Sequence, residues 1–228
     1  MKKNLRKVTV GLLFCSLFQV ISAQDVNVDI ATERNLMSKN ISSKVNAEGS
    51  PYIDENFSSV RIAEQNNKIY VARYNAYNGE LEVKLDKGKI IALDNNSDYE
   101  VTFTLTDKKY KTKTYITESG VSKRGFLVVL SENENHSLFK EERIKYYEKV
   151  EATSSYQQNK PAKFKKQDDL YYIQLGDVVT IMPQKKRDLL KAFPENSKKL
   201  KSYMKTNKLN PKHEDDLIKI ADYLSTLK

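Results

Sequence analysis

Tryptophan is absent from the 228 residues, cysteine occurs once, histidine twice, and glycine and proline number only 7 and 5. Each scarcity removes a class of function. Cys15 lies inside an apolar N-terminal stretch, so a disulfide framework, a thiol nucleophile and a cysteine-ligated metal site are excluded from the rest of the chain. Phe14 before it and more apolar sequence after it do not suit a lipid-modified cysteine. His136 and His213 are isolated in polar sequence, poor material for a metal centre or a general base. No glycine-rich phosphate loop, G-x-S-x-G elbow or H-E-x-x-H helix occurs. The lack of tryptophan removes the strongest stacking platform for sugars. No catalytic residue, metal ligand or cofactor is therefore assigned. With 30 acidic residues, sequence alone cannot choose a carboxylate pair spaced for glycoside hydrolysis.

What is present begins with a targeting signal. Lys2, Lys3, Arg6 and Lys7 precede the apolar run "VTVGLLFCSLFQVI", and small residues follow near Ala23, so residues 1–23 read as a cleavable secretory signal peptide. The run is short for a membrane span, and no second one follows. Export to the periplasm or cell envelope is expected. The leader holds four of the 39 basic residues and none of the 30 acidic ones, leaving a mild excess of 35 over 30. That excess is concentrated after Met182. A basic helical tail admits peripheral contact with an anionic membrane, whereas export argues against a nucleic-acid partner.

Residues 24–48 are polar with weak periodicity and read as a flexible lead-in. Residues 49–182 then show a strand grammar. "SVRIA", "KIYVARYN", "ELEVKL", "KIIAL", "YEVTFTL", "YKTKTYI", "GFLVVL" and "LYYIQL" are rich in β-branched and aromatic residues and recur about every ten residues. Such spacing leaves no room for crossover helices and predicts an antiparallel meander, a sandwich or a partly open barrel. Asn78-Gly79 suits a type I′ turn, Asp86-Lys87-Gly88 a three-residue loop, and Gly176-Asp177 a II′ turn. Leu81, Val83 and Leu85 alternate with Glu80, Glu82 and Lys84, which predicts one buried and one wet side. Residues 137–150 mix helix-forming composition with strand parity and are read as strand. "DNNSDYE" opens like a calcium loop but has Tyr99 and Leu105 where glycine and glutamate are required. In "GSPYIDENF" the Gly-Ser-Pro break precedes Tyr52 and Phe57, which are expected to plug one end of the core.

Residues 183–228 form a basic α-helical segment of three short helices. Pro183 suits the first turn of "QKKRDLLKAF", Pro194 starts the next helix, and Asn210-Pro211 reads as an N-cap followed by proline. Glu214, Asp215 and Asp216 suit the start of the last helix, with Leu217, Ile220, Ala221 and Leu224 as its apolar stripe.

"GSPYIDENF", "RYNAYNGELEVKL", "NKPAKFKKQDDLYYIQLGD" and the tail from Leu189 to Leu227 resemble a family of secreted envelope proteins from Bacteroidota. The resemblance implies an envelope location and one shared fold over 49–227, and supplies no activity and no catalytic residues. The expected function is a non-enzymatic, exported module that binds a protein partner or an envelope ligand. A carboxylate-based hydrolase of envelope polymers and a carrier of lipid or lipoprotein are the alternatives. Within "RYNAYNGELEVKL" a tight turn accounts for Asn78-Gly79 but requires nothing of Arg73, Tyr74, Asn75 and Tyr77. Those four are the candidate binding residues, against the simpler expectation that they pair across the sheet.

Overall fold

The computed structural model describes residues 38–39, 46–65, 68–85, 88–133, 136–152 and 158–227. Residues 1–23, expected to be a signal peptide, and most of the expected lead-in lie outside that set. Within it the chain is mainly β, a curled antiparallel sheet followed by three helices. The first strands are β1 (Ser38–Lys39), β2 (Ser58–Ile62), β3 (Ile69–Asn75), β4 (Glu80–Lys84), β5 (Ile90–Leu93) and β6 (Glu100–Phe103). They continue as β7 (Lys109–Ile116), β8 (Ser122–Glu132), β9 (His136–Glu141), β12 (Leu170–Leu175) and β13 (Val178–Ile181). Their order is β1-β5-β4-β3-β2-β6-β7-β8-β9-β12-β13. A separate ribbon pairs β10 (Ile144–Tyr147) with β11 (Lys163–Lys166).

The sheet runs as a meander from β2 to β5 and again from β6 to β9. Between them the chain leaves β5 and re-enters beside β2, four strand spacings away, or about 19 Å if the sheet were flat. Only residues 94–99 make this connection, and curling brings its ends together. Arg124 and Thr112 fasten it by donating hydrogen bonds to the carbonyls of Asn95 (2.8 Å) and Ser97 (2.9 Å). Asp94 accepts from the Asn96 backbone and side chain, so "DNNSDYE" is a self-bonded polar turn.

Three buried clusters follow from strand parity. The first fills the curl of β2–β8 with Val60, Tyr74, Leu81, Val83, Val101 and Phe126 among others. On β8 the apolar run does not alternate with polar residues. Phe126 and Val128 enter the first cluster, whereas Leu127 points to the opposite face and joins Tyr115, Phe139, Tyr172 and Val179. A bulge between Val129 and Ser131 bends the strand where the helical layer begins. There Leu138 and Ile173 pack against Leu200, Met204, Leu217 and Ile220 of the helices α1 (Lys186–Ala192), α2 (Ser197–Thr206) and α3 (Glu214–Ser225). The apolar stripe expected on the last helix is buried throughout.

Several local expectations need correction. The β3–β4 loop is not a two-residue type I′ turn. Asn75 pairs with Glu80, Gly79 N–H bonds the Asn75 carbonyl at 2.8 Å, and only Gly79 has positive φ, 71°. The reason lies in Asn75, whose side-chain oxygen accepts the Asn78 N–H (3.1 Å) and closes a four-residue loop. Gly176 does carry the positive φ of a II′ turn, between the paired Leu175 and Val178. Gly88 is likewise left-handed, while Asp86 and Lys87 lie outside the described residues. The three helices start later than their prolines, with Lys185, Asn196 and His213 at the N-cap positions and no side-chain cap bond. Asn210 instead accepts the Lys212 N–H (3.2 Å) in a separate turn before α3. Residues 137–150, expected to be one strand, are strand over 137–141 in β9 and 144–147 in the ribbon, with a break at 142–143 between them.

Candidate functional site

The outer face of β3–β4 holds the charge centre of the site. Arg73 and Glu82 are cross-strand partners, and the alternation that should leave Glu82 wet leaves it 0 % exposed. The cover is the segment 51–57, bridged to β3 through Tyr52 and Asn75. Arg73 Nε donates to Glu82 Oε2 at 2.9 Å, Nη2 to the Tyr52 hydroxyl at 2.6 Å and Nη1 to the Glu55 carbonyl at 3.2 Å. Asn75 Nδ2 donates to Glu82 Oε1 at 3.0 Å, and the Tyr52 hydroxyl donates to the same carboxylate. The guanidinium lies 3.7 Å from the Tyr52 ring centroid and 4.4 Å from that of Phe57. Tyr52 and Phe57 thus clamp Arg73 on the outer face instead of plugging the core end, and Ile53 alone of this segment packs on the first cluster. Burial first, and then the Glu82 charge, push the Tyr52 hydroxyl up to about 12, so it remains a donor.

Beside this clamp lies a pocket of about 270 Å³ walled by Ile53, Tyr74, Phe103, Leu105 and Tyr110, with Arg73 and Lys108 on its polar side. Both cations are already neutralised. Lys108 Nζ bonds both oxygens of buried Glu142 at 2.7 and 2.8 Å, and Tyr110 donates to Glu142 at 2.6 Å. Leu105 stands at the mouth, 84 % exposed.

The four expected binding residues are not brought together. Arg73 and Tyr74 line the pocket, Tyr74 with its ring 4.7 Å from Tyr110. Asn75 is buried and serves the turn and Glu82. Tyr77 projects the other way, 44 % exposed, with its ring 5.2 Å from Phe164 of the ribbon. It borders a second cleft of about 450 Å³ with Glu141, Lys123 and Arg143. The simpler expectation of pairing across the sheet therefore describes Arg73, Tyr74 and Asn75, opposite Glu82, Leu81 and Glu80, and not Tyr77. Phe103, Leu105, Lys108 and Tyr110 escaped the sequence reading. Their one signal was Leu105, an apolar residue inside a polar turn.

A carboxylate held by tyrosine and cation recurs. Glu141 accepts from Tyr115 (2.9 Å), Tyr172 (2.8 Å) and Lys123 (2.9 Å), and Glu214 from Tyr171 (2.9 Å) and Lys140 (2.8 Å). Burial alone would push both carboxyls up, but these donors outweigh it and hold them below their ordinary 4.5. A carboxyl that binds its proton more weakly when folded contributes stability above its ordinary pKa and loses it as pH falls through the lowered value. Melting temperature is thus expected to hold from pH 7 to about 5 and to fall below pH 4.5, and Glu141→Gln should lower it at pH 7 while flattening that acid limb. A limb equally steep in the variant would show that Glu141 plays no part.

Asp169 behaves oppositely. Burial pushes its carboxyl up, its Oδ1 is buried without a partner, and it borders an open cleft of about 620 Å³ with Lys166, Lys185 and Lys212. Among the described residues no group of histidine, cysteine and carboxylate side chains is arranged to hold a metal ion. His136 is partly buried, with burial pushing its imidazole down, and His213 sits exposed ahead of α3.

Fold and site together define a curled antiparallel β-sheet protein with a helical flank and a small apolar socket next to a buried ion-pair clamp. No known protein family, curated protein or solved structure matches this chain.

Proposed function

We propose that this chain is an exported, non-enzymatic binding protein of a bacterial envelope, of the kind its resemblance to Bacteroidota secreted proteins suggests, and that its socket receives an uncharged apolar group of a partner. The socket carries this reading. Its walls are mainly aromatic and aliphatic, its two cations are committed to Glu82 and Glu142, and its one carboxylate, Asp54, accepts from the Asn56 backbone and side chain, so an entering anion would find no free counter-charge. A volume near 270 Å³ suits one large side chain or a compact ring. Such a pocket, with a hydrophobic residue at its lip, is the usual anchor point of a protein interface.

In vivo photo-crosslinking tests it, with the photoreactive side chain at Leu105 and, as a remote reference, at Lys201 on α2. A specific adduct from position 105 in the envelope fraction and none from 201 is expected. No adduct from 105, the same adducts from both, or recovery of the protein in the cytoplasm would overturn it.

One observation favours a second reading, a carboxylate-based hydrolase: Asp169 lines an open cleft with a raised pKa and an unpartnered oxygen. Loss of an envelope-polymer hydrolysis activity in Asp169→Asn, with the crosslinks unchanged, would select it. Against the carrier reading, the layer between sheet and helices is occupied by Leu138, Ile173, Leu200, Met204, Leu217 and Ile220 packed in one cluster.

A further inference from the structure

The β10–β11 ribbon divides its side chains by parity. Ile144 pairs with Lys166 and Tyr146 with Phe164, while Lys145 pairs with Lys165 and Tyr147 with Lys163, and the same register extends to Val150 opposite Lys160. One face is attached to the body. Tyr146 and Phe164 lie 5.2 Å apart, Phe164 is 5.2 Å from Tyr77, and Ile144 packs on the first core cluster. Backbone bonds from Ile144 to the Ala76 carbonyl (3.4 Å) and from Gln167 to the Arg143 carbonyl (2.9 Å) fix its base. Gly49 locks its edge, since with φ at 76° an added Cβ would stand 2.7 Å from the Phe164 carbonyl oxygen. The ribbon is therefore held in one orientation.

The other face carries Lys145, Tyr147, Lys149, Pro161, Lys163 and Lys165, all exposed. Lys145 and Lys165 stand directly opposite, a like-charge pairing that works against the ribbon's own folding. Among the described residues none of Lys145, Lys163 and Lys165 has an ion-pair partner, Lys145 resting only 5.3 Å from the Tyr147 ring centroid. Lys149 meets exposed Glu151 at 3.0 Å. Glu48 is bridged to Lys163 through backbone only, and Glu118 and Glu141, which border a cleft with Lys145, are paired with Arg143 and Lys123. A face with lysine as its only cation and one tyrosine among the lysines suits a dense negative surface. Arginine forks that would read individual carboxylates or phosphates are missing from it, and ammonium groups on long flexible stems act as point charges with little stereochemical demand. Tyrosine with a polar tip suits the headgroup level.

We propose that this ribbon face is a docking surface for an anionic lipid bilayer, independent of the socket and of whatever the socket binds. The assignment moves membrane contact from the helical tail, where composition alone had put it, to the ribbon. Near an anionic surface each lysine contributes about fivefold in affinity, so Lys145→Gln, Lys163→Gln and Lys165→Gln together should weaken binding on the order of 100-fold.

The test is co-sedimentation of the exported chain with vesicles of phosphatidylcholine alone or mixed with phosphatidylglycerol. Binding only to the mixed vesicles, abolished by high salt and by the triple ribbon variant, and kept by a control with Lys198, Lys201 and Lys205 changed to glutamine, is expected. The triple variant should melt no lower than the parent, because Lys145→Gln removes a repulsion. Equal binding to both vesicle types, loss in the helix control instead, or no vesicle binding together with retention on a soluble sulfated polysaccharide would overturn the proposal, the last in favour of an acidic glycan.

Discussion

Alanine at Glu82 is expected to lower the melting temperature by roughly 6 to 12 °C, from a loss of about 3 kcal/mol and the usual sensitivity of a chain this size. The carboxylate is fully buried and accepts from Arg73, Asn75 and Tyr52 at once. Its removal leaves a guanidinium partly desolvated under segment 51–57 with no counter-charge. The loss belongs at the lower end of the range for broken buried pairs because Arg73 keeps 18 % of its side-chain surface. Replacing both charges, as Arg73→Met with Glu82→Leu, should recover much of the loss, since two apolar groups leave no unpaired charge behind. Thermal melts of the parent and the two variants decide it. If the double variant melts as low as Glu82→Ala alone, packing of segment 51–57 matters more than the charges. The same experiment bears on the socket, whose Arg73 wall exists only while Glu82 holds it.

A second large effect is expected at β9, where Phe139→Ala should cost about 4 kcal/mol and Leu138→Ala about 3 kcal/mol. The two residues are adjacent and both 0 % exposed, which a strand with one wet face does not allow. Phe139 packs in the cluster on the face opposite the curl, beside Tyr115 and Tyr172, and Leu138 lies under the helices beside Leu217 and Ile220. Urea unfolding should show comparable losses for both, while amide exchange in α3 should accelerate selectively in Leu138→Ala. Equal acceleration in both variants would mean that the layers unfold as one unit and that the division into two packed faces has no energetic meaning.

The strand sequence was largely legible because β-branched and aromatic runs between turn formers are a local signal, and local preference and tertiary packing agree here. Gly176 and Gly88 were legible for the same reason. The β3–β4 loop was not, since Asn78-Gly79 is a strong turn pair, yet the Asn75 side chain sets the register two residues earlier, with Glu80 opposite Asn75 and not Tyr77. The candidate site was half legible. Arg73 and Tyr74 stood out as residues a turn does not need, and they do line the socket. Asn75 and Tyr77 stood out equally, and turned out to serve the turn, Glu82 and the ribbon.

By itself the sequence determined the class: antiparallel strands, then three amphipathic helices, with no cysteine or histidine constellation on which metal or thiol chemistry could rest. Only the tertiary structure decided which polar residues are buried. Glu82 reads as the wet position of an alternating strand, and nothing local marks Glu141 or Glu142, yet each is held by tyrosines and cations from distant parts of the chain. Alternation reports which side of a strand a residue occupies. What covers that side depends on a loop, a curl or a ribbon tens of residues away, and that is set by long-range packing that no local period records.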